Sequence, residues 1–292
     1  MAVPLRYRLE WAALWLLKLK ANILPESWAG SVGGSTGRVV GRIWGRRRRI
    51  ARGNLARAFP EIPPPEINRI VRGVFDNLGR TAFEILRLGR ERPEMILGRF
   101  DAEGTEHLAQ AAAQGHGALL MTGHFGNWEL LGAWVRALGY PLDVVVKPAR
   151  NPLADRFYNA QRARVGVGII HTQVATRGIV RALQAGRFVA ILADQYAGED
   201  GVEVEFFGRM VSTPRGPATL ALRLGCSILT GVSIRQPHGR FLAKIDGPVV
   251  YQPTGDVERD VFAITQEFTR RLENHIRRYP DQWLWTHRRW RD

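Results

Sequence analysis

Residues 118–129 read ALLMTGHFGNWE, and they set the expected architecture of the chain. Residues 118–122 form a short apolar run bounded by glycines, a pattern typical of a buried strand. Residues 128–138 then carry apolar side chains at helical spacing. The two elements are joined by a loop that contains His124 and two glycines. A strand that leads directly into a helix predicts the first half of a βαβ unit.

The same alternation extends outward along the chain, and it predicts an α/β fold with a mostly parallel central sheet flanked by helices. Predicted strands are residues 118–122, 142–146, 168–171, 188–193, 202–207, 227–234 and 241–245. Predicted helices are residues 128–138, 153–165, 176–185, 213–224 and 257–278. In such folds the working groups lie on loops beyond the carboxyl ends of strands, so the loop after Thr122 is the first candidate site.

The N-terminal part differs in composition. Residues 5–24 combine tryptophans and leucines with lysines and arginines, which favours a helix lying at a membrane interface; a first helix packed on the core is the alternative. A Gly- and Ser-rich turn is expected at residues 30–37, and a scaffold helix follows Pro63. We therefore divide the chain into a membrane-association segment, 1–60, and a catalytic domain, 61–292. Within the first segment, residues 38–57 contain eight arginines and no acid: Arg38, Arg42, Arg46, Arg47, Arg48, Arg49, Arg52 and Arg57.

Charge and cysteine content narrow the function classes. The net charge of +15 predicts an anionic partner. Four classes of partner fit this charge: nucleic acid, phospholipid, an acidic carrier protein and a phosphorylated substrate. The arginines are not interleaved with stacking aromatics, which favours lipid phosphates over single-stranded nucleic acid. The single cysteine, Cys226, excludes an internal disulfide framework and a Cys-based zinc site. The longest uncharged run within residues 5–24, residues 11–17, is much shorter than the ~20 residues of a spanning helix.

His124 and Glu129 are the candidate catalytic pair. A five-residue offset on a continuous helix separates two side chains by about 140°, so they meet only if a turn intervenes, which Gly126 permits. A carboxylate on one ring nitrogen would fix the tautomer and leave the other nitrogen to take a proton from a hydroxyl. A loop histidine with a structural role is the alternative. The chain has no HExxH, GxSxG, Walker A or GxGxxG motif, and we assign neither a metal nor a cofactor.

An ordered set of motifs over residues 46–290 resembles the late acyltransferases of lipid A biosynthesis, within the wider lysophospholipid acyltransferase group. The set begins with HFGNWE and ends with QWLWTHRRW at residues 282–290. Between them lie Lys147-Pro148, Arg150-Asn151-Pro152, Asp155, Arg156, Arg164, Gly166, Asp194-Gln195, Phe206-Phe207-Gly208 and Thr213.

The resemblance implies a glycerolipid acyltransferase-like fold and transfer of an acyl chain from acyl carrier protein or acyl-CoA. The acceptor would be a hydroxyl of a phosphorylated glycolipid at the cytoplasmic face of the inner membrane. It further implies substrate-binding roles for Asn127, Lys147 and Gln195. Arg156 and Arg164, eight residues apart on one predicted helix, are candidates to bind the substrate phosphate. Asp194 ends a strand, where it would orient an arginine or the acceptor; a strand-end cap is its alternative role.

Two alternatives stay open from the sequence. One alternative is a different acceptor, because a histidine base activates the hydroxyl of a phosphatidylinositol mannoside, a glycerol phosphate or an amino lipid equally well. A basic membrane- or nucleic-acid-binding protein without catalysis would explain the charge but not the HFGNWE loop. We expect no nucleic-acid partner. Six further histidines have no comparable setting and are interpreted as surface or packing residues: His107, His116, His171, His238, His275 and His287.

Overall fold

The computed structural model describes residues 3–291, with the side chains of residues 26 and 27 excepted. Its helices are α1 (Leu5–Ile23), α2 (Glu26–Ile43), α3 (Gly45–Ala58), α4 (Pro64–Leu88), α5 (Pro93–Gly98), α6 (Thr105–Ala113), α7 (Trp128–Ala137), α8 (Pro152–Arg164), α9 (Ala175–Gln184), α10 (Gly216–Leu224) and α11 (Val257–Arg278). Its strands are β1 (Phe100–Glu103), β2 (Ala118–Thr122), β3 (Leu142–Val146), β4 (Gly168–His171), β5 (Phe188–Leu192), β6 (Val202–Phe206), β7 (Arg209–Thr213), β8 (Ser227–Arg235) and β9 (Phe241–Asp246).

The central sheet confirms the predicted fold class. Within residues 3–291 it has seven strands in the order β1-β9-β8-β2-β5-β3-β4, and β6 with β7 forms a separate antiparallel pair. All neighbours in the central sheet are parallel except β8 and β9. Every β2 side chain is buried, and side chains that alternate along β2 enter two different apolar clusters, because helices cover both faces of the sheet. Leu119 and Met121 enter one cluster, whereas Ala118 and Leu120 enter the other.

The expected turn at residues 30–37 is wrong, because these residues lie inside α2. Their small side chains serve helix packing. A Cβ on Gly37 would lie 2.0 Å from the Phe75 carbonyl oxygen, and one on Gly79 would lie 2.2 Å from the Gly33 carbonyl oxygen. Glycines therefore let the α2 and α4 backbones approach closely, and this close contact offsets their weak helix propensity.

Some element boundaries differ from the predicted ones because strand pairing in the tertiary structure sets them. β7 takes residues 209–213, so the helix expected from 213 begins at Gly216 instead. β1 was not predicted; it is four residues long and only Phe100 in it is buried. The division at residue 60 stays a prediction, and residues 1, 2 and 292 of the two segments lie outside the described residues. No helix among the described residues is long and apolar enough to cross a bilayer.

Candidate active site

Two parallel strands bring the candidate histidine to a carboxylate. β2 and β5 are neighbours, and Thr122 is paired with Leu192. His124 and Asp194 each follow their strand by two residues, so they leave the sheet side by side at its carboxyl edge. The site therefore lies where the fold class predicts it.

Asp194 is the carboxylate that holds His124. Its Oδ1 is 2.8 Å from His124 Nδ1, and its Oδ2 accepts hydrogen bonds from the His124 backbone N–H at 2.7 Å and from the Trp283 indole at 2.8 Å. Burial alone would raise the pKa of Asp194, but the charge and hydrogen bonds of His124 and the bond from Trp283 lower it to about 2. The aspartate is thus ionised at neutral pH, and it fixes an Nδ1–H tautomer that leaves Nε2 as an acceptor.

Glu129 occupies a different place from the one expected. It lies in the first turn of α7, and Arg162 of α8 donates two hydrogen bonds to it, one of them 2.9 Å from Nε to Oε2. Among residues 3–291 we find no hydrogen bond between Glu129 and the His124 ring. The expected contact between these side chains is replaced by the His124–Asp194 contact, because the ordered helix directs Glu129 toward α8 rather than back to the loop.

Gly126 lets the loop run against the sheet. Its φ is +56°, and a Cβ there would lie 1.6 Å from the Ser233 carbonyl oxygen, so only glycine fits. The backbone N–H groups of the loop are occupied: that of His124 by Asp194, that of Phe125 by the Gly123 carbonyl, and that of Gly126 by the Gln282 carbonyl. These three N–H groups are therefore not free to form an oxyanion hole in this conformation.

The predicted substrate-binding residues divide into buried and exposed ones. Asn127 is buried as the N-cap of α7, with its Oδ1 accepting from the Leu130 N–H, so it has a structural role. Gln195 is half-buried directly after Asp194, and Lys147 is exposed after β3. Arg156 and Arg164 are both exposed on α8. Their proposed grip on a phosphate stays a prediction.

The arginine of α8 that faces the HFGNWE helix is Arg162, which sequence reasoning did not select. It lies about 200° around the helix from Arg164. Burial lowers the pKa of Arg162, but the hydrogen bonds and charge of Glu129 raise it overall. Spacing along the helix gave no signal for this choice, since three arginines share α8 and only the packing against α7 distinguishes them.

The C-terminal segment closes one side of the site. Trp283, Trp285 and Trp290 are all buried, which favours packing over lipid contact, and the Leu284 N–H donates to the His124 carbonyl. Arg289 is buried as well and donates to the Ser212 carbonyl and to the Thr213 hydroxyl. Burial lowers the pKa of Arg289 to about 10. Burial is the main cause of the lowered pKa of His287, and the charges of Asp194 and His124 also act on it, so this histidine is closer to the site than its sequence setting indicated.

A narrow apolar cavity lies beside the loop. Its polar lining consists of Thr122, Glu129 and Arg162, with Trp128 next to them. The remainder of the lining is apolar and comes from β2, β3, β5, α4, α7 and the segment after α8, namely Leu88, Leu120, Leu131, Gly132, Val144, Val145, Val146, Val165, Val167, Ala190 and Leu192. Its apolar lining resembles the surroundings that a hydrocarbon chain prefers, but the cavity volume of about 30 Å³ leaves room only for a water-sized group in this conformation.

Comparison with known proteins agrees with this geometry. The family model described as bacterial lipid A biosynthesis acyltransferase matches residues 2–292. The chain belongs to this family. A phosphatidylinositol mannoside acyltransferase of Mycolicibacterium smegmatis is 28% identical over 290 residues, 97% of this chain and 90% of that protein. A lipid A biosynthesis palmitoleoyltransferase and a lauroyltransferase of Escherichia coli K12 are each 28% identical over 289 residues, 98% of this chain and 92% of theirs.

The family membership makes the chain an O-acyltransferase of the lipid A and phosphatidylinositol mannoside acyltransferase group. The interpretation as a basic binding protein without catalysis is therefore not retained. The phosphatidylinositol mannoside acyltransferase and the lipid A palmitoleoyltransferase have the same sequence identity to this chain, so identity alone does not distinguish the two acceptors.

Proposed function

We propose that this enzyme transfers a fatty acyl chain from acyl carrier protein or acyl-CoA to a hydroxyl of a phosphorylated glycolipid, with His124 as the general base. The observation that carries the proposal is the contact of His124 Nδ1 with the buried Asp194 carboxylate. About a fifth of the His124 side chain is exposed, so substrate can reach it. Among the described residues we find no hydrogen bond to Nε2, the nitrogen that would take the proton.

The chemical step needs no nucleophile from the protein. The acceptor hydroxyl gives its proton to His124 Nε2, and its oxygen forms a bond to the thioester carbonyl carbon. When the tetrahedral intermediate collapses, the carbon–sulfur bond breaks and the departing thiolate takes the proton back from the imidazolium. Asp194 stays ionised throughout and stabilises the imidazolium that forms transiently.

Glu129 and Arg162 have a second role in this proposal. They line the apolar cavity, whose walls we propose move apart to admit the acyl chain, and their ion pair lies in the polar part of its lining. Glu129 remains a residue of the catalytic site, where it orients the acceptor or the donor rather than the His124 ring.

A lipid A precursor is the acceptor we favour, since the matching family model carries that description. A phosphatidylinositol mannoside is the second candidate, because the relative from M. smegmatis is named for it. Both acceptors are anionic glycolipids with free hydroxyls, and the positive charge of the chain suits either one.

The site of action we propose is the cytoplasmic face of the inner membrane. Large apolar side chains on α1 are exposed, among them Leu9 at 62%, Trp15 at 48% and Leu16 at 55%. Lysines and arginines accompany them along the same helix and on α3. Tryptophans at head-group depth together with cations facing lipid phosphates are typical of a helix that lies on an anionic bilayer.

The test is transfer of a labelled acyl chain by purified protein in mixed micelles. Wild type is incubated with acyl carrier protein or CoA thioesters and with either a lipid A precursor or a phosphatidylinositol mannoside. We expect labelled product with at least one acceptor and a loss of about 100-fold or more in kcat for His124→Ala, the size of a lost general base.

His116→Ala is the matched control, since His116 is exposed and precedes β2 at the opposite edge of the sheet. It should retain wild-type activity. Absence of product with both acceptors, or equal activity of His124→Ala and wild type, would overturn the proposal.

A further inference from the structure

A buried charged network lies behind the HFGNWE loop and has no part in the chemical step. At its centre, Arg235 ends β8 with a side chain only 12% exposed. Its guanidinium donates to both carboxylate oxygens of Glu84, one bond being 2.9 Å, and also to the Thr81 hydroxyl at 3.1 Å. Arg235 Nε donates to Asn77 Oδ1 at 2.7 Å. Every nitrogen of this side chain is thus engaged by α4.

The α4 residues that Arg235 binds also hold the loop. The Thr81 hydroxyl donates to the Gly126 carbonyl at 2.9 Å, and the Asn77 amide donates to the same oxygen at 3.3 Å. Glu84 Oε2 accepts from the Asn127 amide at 2.7 Å. Gly126 and Asn127 follow His124 by two and three residues, so the network fixes the backbone immediately after the imidazole.

The backbone of Arg235 holds the other partner of Asp194. The Arg235 N–H donates to Gln282 Oε1 at 2.7 Å, and Gln282 Nε2 donates back to the Arg235 carbonyl at 3.0 Å. Gln282 directly precedes Trp283, whose indole donates to Asp194. One residue therefore connects the segment that carries His124 with the segment that holds Asp194.

The chemistry of the network argues for positioning over stability. Glu84 is buried, and although burial raises its pKa, the charges and hydrogen bonds of Arg235, Arg99 and Asn127 lower it overall. A buried ion pair is costly to desolvate, and apolar residues of similar volume often stabilise a protein as well or better. Apolar residues lack the planar guanidinium, whose several N–H groups hold neighbouring polar side chains in a fixed orientation.

We propose that Arg235, held by Glu84, is a positioning residue whose side chain sets the His124–Asp194 geometry through Gly126 and Asn127, while its backbone holds Gln282. The proposal rests on the function assigned to His124 above. Loosening the network would leave the substrate-binding surfaces in place and misplace the imidazole, so it would lower kcat and leave KM unchanged.

The first test uses two variants. Arg235→Lys keeps the positive charge but loses the planar guanidinium, and the double variant Glu84→Met and Arg235→Met, here called the apolar pair, replaces both charged residues. We expect the apolar pair to fold but with a lower melting temperature than wild type, because Arg99 loses Glu84 as a partner and the buried Asn127 amide loses its acceptor. We expect kcat to fall tenfold or more in both proteins, with KM for donor and acceptor within twofold of wild type. Wild-type kcat in a folded apolar pair would overturn the proposal.

Arg187→Met is the matched control. Arg187 binds Asp143 through two hydrogen bonds, but it precedes β5 at the edge of the sheet away from His124. Its replacement should leave kcat unchanged. Equal losses in Arg187→Met and Arg235→Lys would show that any lost ion pair lowers the rate, and would equally overturn the proposal.

A second readout does not depend on substrate. In ¹⁵N-histidine-labelled protein, the ring signals of His124, assigned by their loss in His124→Ala, report the tautomer and the Nδ1 hydrogen bond. We expect these signals to shift in the apolar pair and to stay in place in Arg187→Met; no shift would overturn the positioning role. If wild type transfers no acyl group and the shift is still seen, the proposed function fails and the positioning role stands.

Discussion

At the residue scale, the decisive contact joins His124 to Asp194 rather than to Glu129. Sequence reasoning selected His124 because a histidine followed a buried strand, and it selected Asp194 because an aspartate ended another strand. The HFGNWE motif drew attention to Glu129 as the partner. Proximity along the chain proved a poor guide, since Asp194 is 70 residues away from His124 and Glu129 only five.

Asp194→Asn gives a pH-dependent test of this contact. The pKa of Asp194 in the folded protein, about 2, lies below its ordinary value, so the ionised aspartate stabilises the fold at pH above about 4. That contribution, about 2 kcal/mol, disappears as the pH falls toward 2. Urea unfolding of both proteins should therefore show Asp194→Asn less stable at pH 7 and the difference shrinking between pH 4 and pH 2.

Glu199→Gln serves as the control for that series, because Glu199 is exposed and close to Asp194 in sequence. Its unfolding free energy should follow wild type at every pH. A difference between wild type and Asp194→Asn that stayed constant down to pH 2 would contradict the role given to the ionised carboxylate.

At the scale of elements, local pattern identified most strands and helices but failed where packing overrode propensity. α2 contains the glycines that predicted a turn, and its backbone nonetheless lies helical against α4. α1 shows the converse: its mixture of tryptophans, leucines and cations predicted an interfacial helix, and its apolar side chains are exposed. The membrane contact of that helix is still a proposal.

Replacing Trp11 and Trp15 together with serine tests it. These indoles are 40% and 48% exposed, so the substitution should leave the melting temperature within about 2 °C of wild type. If each indole contributes about 1 kcal/mol on partial burial in lipid, binding to phosphatidylglycerol vesicles should weaken about 30-fold.

Val250→Ser is the control for α1. Val250 is 82% exposed and lies in the loop before α11, so its replacement removes an exposed apolar side chain far from α1 in sequence. Unchanged vesicle binding is expected for it. Vesicle sedimentation that failed to separate the tryptophan double variant from Val250→Ser would exclude α1 as the membrane contact.

At the scale of the whole molecule, α3 and the C-terminal segment, which are far apart in sequence, pack together beside the site. Asn54 of α3 is buried, and its amide donates to the Trp285 carbonyl at 2.8 Å and to the His287 carbonyl at 2.6 Å. Aromatic rings from distant segments pack around the same place: Phe59 contacts Phe207 and Trp285, and Phe206 stacks on Trp290. The basic N-terminal segment is therefore built into the catalytic unit as well as carrying charge.

Asn54→Ala measures that contact. The substitution removes the amide that donates to two backbone carbonyls at a buried site. We expect the free energy of unfolding to fall by about 2–3 kcal/mol. Arg52→Ala on the exposed side of the same helix should change it by less than about 0.5 kcal/mol. If urea unfolding gave equal free energies of unfolding for the two variants, the contact between α3 and the C-terminal segment would not stabilise the fold.

The sequence by itself determined the α/β class, the strand that presents His124 and the family. Apolar periodicity and motif order are local properties, readable without knowing which segments meet. The tertiary structure alone decided the carboxylate that contacts His124, the face of α8 that reaches the site, and the network around Arg235. Those depend on β5 lying beside β2 with Thr122 opposite Leu192, a choice among strand orders. Strand order follows from the packing of the whole core, and no single segment encodes it.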